Sequence, residues 1–199
     1  VQRHLVSVLL GLGGLALVIS SCSSSGVVSA PEASAPLHSS GGSVETSQAH
    51  GGSRRFDIAM VTVHNAARKD VRVLQVSPRT IGRLVFDGAA LLSAADNNPG
   101  EGDTNAPFPV QPGQSLAPIT PSRHPVVHAG ANETLIVRVH VPPGKAGGAT
   151  LSVSLRYRTN GIVYRTTYKM PYVLCTKAFD GGTCTQLQNR TLSAASQAA

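Results

Sequence analysis

The chain of 199 residues has no tryptophan, only four phenylalanines and four tyrosines, and two methionines. A core must therefore be built from Val, Leu and Ile, and no aromatic platform for stacking nucleobases is evident. Met60 and Met170 each lie in an alternating stretch and read as core residues. Catalytic signatures are missing as well. There is no G-x-S-x-G elbow, no S-x-x-K, no H-E-x-x-H and no phosphate-cradling glycine loop opening a helix. The paired acids of a glycosidase are also lacking. The expectation is a non-enzymatic protein without a cofactor. Acids are scarce, with 10 Asp and Glu against 17 Lys and Arg, for a net charge of +7. Residues 54–199 hold 16 of those bases and 8 of those acids, so the positive charge belongs to the part that folds.

Long apolar runs are absent except for one, the 15 uncharged positions from Leu5 to Ile19, which Gly11, Gly13 and Gly14 interrupt. That is shorter than the roughly 20 residues a spanning helix requires, and it follows the short basic start Gln2-Arg3-His4 as a signal h-region would. An uncleaved membrane anchor is the alternative. The run closes on Leu17-Val18-Ile19-Ser20-Ser21-Cys22, which resembles the lipobox of bacterial lipoprotein precursors. The resemblance implies that residues 1–21 are removed, that Cys22 carries diacylglycerol, and that the protein is tied to a membrane outside the cytoplasm. Val1 reads as a translated GTG start, and 13 arginines against four lysines suit a GC-rich genome.

With Cys22 lipidated, Cys175 and Cys184 remain, and an oxidising compartment favours a disulfide between them. Their C-x8-C spacing is unlike the C-x-x-C of thiol chemistry or zinc ribbons, so a metal or redox pair fits poorly. Closing a loop of this size contributes about 2–3 kcal/mol in the chain-entropy model.

Residues 22–53 are mostly Ser, Gly, Ala and Pro, too poor in aliphatic side chains to offset ordering entropy. They read as a disordered tether, in which His38 and His50 carry no assigned role. Residues 186–199 read as a flexible tail, or at most a short helical turn. One domain, 54–185, lies between, and its period is two. Leu135, Val137, Val139 and Val141 alternate with Ile136, Arg138 and His140. Leu151, Val153, Leu155 and Tyr157 alternate with Ser152, Ser154, Arg156 and Arg158. Ile162, Tyr164, Thr166, Tyr168 and Met170 alternate with Val163, Arg165, Thr167 and Lys169. Segments 56–65 and 70–76 read as a strand pair about the turn 65–69, with further strands at 83–86 and near 112–119. About seven strands punctuated by Pro and Gly predict an all-β, antiparallel β-sandwich. Across 54–175 the rhythm resembles immunoglobulin-like modules of bacterial envelope proteins, without the Cys–Trp–Cys signature of antibody-type domains. Such a fold hosts many functions and selects none.

Asn160-Gly161 between two alternating runs is the strongest short hairpin signal, a type I′ turn. A two-residue loop pairs Arg156 with Arg165, Arg158 with Val163 and Ser152 with Lys169, and brings Tyr157 and Tyr164 together on the buried side. Arg156, Arg158, Arg165 and Lys169 then share one exposed face. Either they face solvent for solubility, or they contact something anionic: lipid headgroups, an anionic envelope polymer or an acidic protein partner. Nucleic acid does not suit an extracytoplasmic location.

The loop 93–105 gathers Asp96, Glu101 and Asp103 but lacks the EF-hand spacing and its bidentate Glu. It reads as a mobile polar loop and a candidate interaction segment. His64, His124, His128 and His140 suggest a copper- or zinc-handling alternative, against which Pro125 keeps His124 and His128 off a common helix face. The expectation is a lipid-anchored envelope module for binding or structure, with no metal. An accessory subunit of an envelope complex or transporter is the further alternative.

Overall fold

The computed structural model describes residues 26–31, 34–40, 45–48, 55–93, 102–103, 116–176 and 182–197. Its strands are β1 (Val27–Ser29), β2 (Leu37–Ser40), β3 (Glu45–Gln48), β4 (Arg55–Asn65), β5 (Val71–Gly82), β6 (Val85–Ser93), β7 (Gly102–Asp103), β8 (Leu116–Ile119), β9 (Val126–Val127), β10 (Asn132–His140), β11 (Gly147–Thr159) and β12 (Ile162–Cys175). One helix, α1 (Thr183–Gln197), follows. One sheet runs β1-β12-β11-β5-β9, with β3 also on β12; the other runs β2-β4-β10-β6-β8, with β7 also on β4. All pairings are antiparallel except those of β1 and β3 with β12. The fold is an all-β, immunoglobulin-like sandwich.

Period-two alternation builds its core. Val71, Val73, Val76, Val153, Leu155, Tyr157, Tyr168, Met170 and Tyr172 of the first sheet face Phe56, Ile58, Val61, Val63, Leu91, Leu135, Val137 and Val139 of the second, all buried in one cluster. Full burial of each aliphatic side chain contributes about 1.5–3 kcal/mol, which offsets the absence of tryptophan. The Phe56 and Tyr172 rings meet across the sandwich, with centroids 5.5 Å apart.

The expected pairing of segments 56–65 and 70–76 is not what forms. β4 pairs with β10 and β5 with β11, so the chain crosses from one sheet to the other at Asn65. The buried Asn65 amide makes that corner: Nδ2 donates to the carbonyls of Lys69 (3.1 Å) and Val127 (2.9 Å), and Oδ1 accepts from the Ala67 N–H (3.0 Å). The outward positions of β10 differ too. Ile136 joins a second apolar cluster with Ala90, Leu92 and Leu116. Arg138 is buried, and its Nε and Nη2 donate to the Asp57 carboxylate at 2.7 and 2.9 Å. At the other end of the hairpin, Val163 is buried while Ile162 is exposed, the reverse of the alternation expected for that pair.

The stretch expected to be a tether contributes strands instead. β1 and β3 add in parallel to β12, and β2 adds to β4. Both recipients present backbone donors and acceptors that an added strand can use, and covering such edges removes an aggregation template. Leu37, the aliphatic residue of β2, is fully buried, and its carbonyl accepts a hydrogen bond from the Tyr168 hydroxyl at 2.9 Å. A composition average conceals one well-placed leucine.

The expected flexible tail is likewise helical. Cys184, Leu187 and Thr191, spaced i, i+3, i+7, form the buried stripe of α1. Cys184 and Leu187 pack beside Ala149, Val173 and Cys175, and the Cys175–Cys184 disulfide joins β12 to the first turn of the helix. Exchanging both cysteines for serine is expected to lower unfolding free energy by about 2–3 kcal/mol in urea titration and to reduce the helical ellipticity, while the β signal persists.

Candidate anion-binding face and cleft

Asn160 (φ 51°) and Gly161 (φ 78°) adopt the left-handed conformations that a type I′ turn requires. The turn sets the hairpin register: Thr159 opposite Ile162, Arg158 opposite Val163, Tyr157 opposite Tyr164, Arg156 opposite Arg165 and Ser152 opposite Lys169. On the other side β11 pairs with β5, which places Arg158 opposite Arg72, Arg156 opposite Gln75 and Ser152 opposite Arg79. All four sequence-predicted bases, Arg156, Arg158, Arg165 and Lys169, therefore share the outer face of the sheet. Arg72 and Arg79 join them there. Sequence reasoning missed these two because it paired their strand with β4; the alternation of Val71 and Val73 about Arg72 was a usable signal.

The face is cationic without compensation. β1, β5, β9, β11 and β12 contain no Asp or Glu, and Glu45 on β3 lies in register with Tyr172, away from the turn. Among the described residues, none of these six bases forms an ion pair. Asp57 and Asp87 serve the other sheet, where Asp57 binds Arg138 and Asp87 accepts from His140 at 2.7 Å, and Asp70, just before β5, is taken up by His128. Like charges directly opposite across strands destabilise a sheet. Arg156 against Arg165, and Arg158 against Arg72, are two such pairs side by side.

Beneath this face lie two tyrosines. Tyr157 and Tyr164 stack with centroids 5.7 Å apart, and the Tyr157 hydroxyl hydrogen-bonds Thr166 Oγ1 at 2.9 Å. Burial raises the Tyr157 phenol above its ordinary pKa, more than its hydrogen bonds lower it. On the outside, Ser154 and Thr167 hydrogen-bond at 2.7 Å between the two basic ends of the hairpin.

At its β5 edge the face turns into a cleft of about 740 Å³, with Arg72, Arg156, Arg158 and His124 among its lining residues. Arg156 is half-buried, and its Nε is buried without an acceptor among the described residues. Of the other histidines, His38 and His64 lie opposite each other across β2 and β4. His64 bonds Asn132 (2.9 Å), His128 bonds Asp70 (3.1 Å) and His140 bonds Asp87. No three His, Cys, Asp or Glu come together among the described residues. Cys22, His50 and most of the loop 93–105 lie outside those residues.

No family model matches the chain, and no curated protein is significantly similar to it. Among solved structures, the chain is similar to the ASH/PapD-like domain of human CEP192 (PapD-like domain 7), at 7% identity and a TM-score of 0.36. The match covers 73% of this chain and 87% of that one, and it assigns no ligand or partner.

The raised Tyr157 pKa carries a sign. The folded state holds the phenol proton more tightly than the unfolded chain does, so this stabilisation is complete below about pH 10 and is lost as pH rises through the folded-state value. Tyr157→Phe is expected to cost about 1 kcal/mol at neutral pH through the lost hydrogen bond, yet to make the stability decline above pH 10 shallower. Urea unfolding across that pH range measures both.

Proposed function

We propose that the protein is a non-catalytic lipoprotein of the cell envelope, anchored by lipid on Cys22, that lays its cationic sheet face on an anionic membrane surface. The observation that carries the reading is the face itself: Arg72, Arg79, Arg156, Arg158, Arg165 and Lys169 together, in strands that contain no acid. Near an anionic leaflet each basic residue contributes about 1 kcal/mol, and the like-charge pairs lose their mutual repulsion once anions lie between them. Chain length supports the same orientation. Only five residue steps separate Cys22 from Val27 on β1, a reach of about 18 Å when fully extended. The lipobox resemblance supports the anchor and the extracytoplasmic location.

Two experiments test it. Cells expressing the full chain and fed labelled fatty acid are expected to label the protein in its membrane fraction, and Cys22→Ser to abolish the label. For the face, the chain from Cys22 onward, which retains every described residue, is prepared with Cys22→Ser and mixed with vesicles containing anionic phospholipid. Binding is expected to fall steeply between about 0.05 and 0.5 M salt. Changing Arg156, Arg158 and Arg165 to Ser is expected to weaken it about a hundredfold, from roughly 3 kcal/mol of lost attraction. Salt-insensitive binding, or none, removes the membrane reading. Retention by purified anionic wall polymer in place of vesicles would move the partner to the wall.

A further inference from the structure

The broad face explains attraction to a charged plane, but not the cleft beside it. The lining of that cleft is of two kinds. Arg72, Arg156 and Arg158 supply guanidinium groups, whereas Leu74, Phe86, Ile119 and Pro121 supply apolar surface. Three local features hold the apolar walls in place. In β5 the register with β11 shifts between Arg156 and Tyr157, which face Gln75 and Val73, so Leu74 is an extra residue without a partner. Such a bulge re-aims a side chain, and here Leu74 lines the cleft, half-buried. The chain from β8 to β9 forms the opposite wall. There Thr120 and Arg123 exchange backbone hydrogen bonds of 3.0 and 3.2 Å, and the Arg123 N–H also donates to Thr120 Oγ1 at 3.0 Å. The Pro125 carbonyl then accepts from the Val73 N–H at 2.9 Å, fastening that wall to β5. Phe86 stands 37% exposed at the cleft, an aromatic ring left in contact with water.

We infer that this cleft binds one single-chain anionic amphiphile, its oxyanion head on Arg72, Arg156 and Arg158 and its short apolar chain along Leu74, Phe86 and Ile119. Charge complementarity selects the head. Guanidinium groups in fork geometry pair oxyanions, and the three arginines have no acid among the described residues to neutralise them. The half-buried Arg156, whose Nε finds no acceptor among the described residues, offers an unpaired donor at the cleft. The apolar walls select the tail. A bare phosphate would leave Phe86 and Leu74 wet, and a neutral alkyl chain would leave the guanidinium groups unpaired. A cleft of about 740 Å³ also lies within the ordinary range for a small-molecule site. The inference deepens the reading of this face as a receiver of anions and rests on it, while replacing a planar membrane by a discrete ligand.

The test uses octyl phosphate below its micellar concentration, titrated calorimetrically into the chain from Cys22 onward with Cys22→Ser. One molecule is expected to bind per chain, more tightly than either inorganic phosphate or neutral octyl glucoside. Arg158→Gln and Phe86→Gln are each expected to weaken binding about tenfold. Both positions are exposed, so neither change should unfold the sandwich. Arg79→Gln with Lys169→Gln, on the same sheet face but not lining the cleft, is expected to leave octyl phosphate binding unchanged while weakening binding to anionic vesicles. Absence of octyl phosphate binding, or equal binding by Phe86→Gln, overturns the cleft. Vesicle binding that persists in that case leaves the planar docking standing. Octyl phosphate binding without vesicle binding upholds the cleft and removes the planar docking.

Discussion

The register imposed by Asn160-Gly161 is the constraint on which the rest of the basic surface depends. Because side chains alternate with period two, a slip of one residue in β11 against β12 would drive arginines into the core and tyrosines into water. The turn prevents the slip with two residues at positive φ, and the Tyr157–Tyr164 stack reinforces it from the buried side. Once that pairing is set, β11 transmits it to β5: Arg72 takes its place by the same alternation, and the bulge at Leu74 brings Arg79, seven residues on, to the same face. A two-residue loop and one bulge therefore set the positions of six cations across three strands.

The two sheets treat charge in opposite ways. In the second sheet Arg138 is 4% exposed and held by two short hydrogen bonds to Asp57, so the pair spans adjacent strands as a neutral unit. A buried pair of this kind adds little net stability, but removing either member strands a charge at a cost of about 3–5 kcal/mol. The first sheet leaves its cations in solvent, where their mutual repulsion is small enough for the core to bear. The scarcity of acids matters here. Of the ten in the chain, Asp57 and Asp87 are committed to partners in the second sheet, and the first sheet's principal strands hold none.

What was legible in the sequence was local. The hairpin, its register and the four bases on one face all follow from spacings within about 25 residues, and the Cys175–Cys184 pairing from assigning Cys22 to lipid in an oxidising compartment. What was not legible involves partners distant along the chain. Nothing near Val71 announces that β5 belongs beside β11 rather than β4; the decision is made by the Asn65 corner, whose amide reaches Val127, 62 residues away. The same holds for Leu37, whose burial is rewarded by Tyr168, and for Arg138, which reads as an outward residue until Asp57 appears across the ladder. The cleft was hidden for both reasons at once, since it joins β5, β6, β11 and the β8–β9 connection.

The position of β1 has a kinetic meaning. With Cys22 lipidated as proposed, a strand hydrogen-bonded alongside Val163, Tyr164 and Arg165, five steps from that anchor, would keep the basic face close to the bilayer. Encounter with a membrane-borne ligand then becomes an intramolecular event, governed by effective concentration and not by bulk concentration. Under that regime a site of millimolar intrinsic affinity stays substantially occupied. Its occupancy would then follow the lipid composition of the patch beneath it at each moment, because so short a leash limits the distance from the bilayer and not the lateral position.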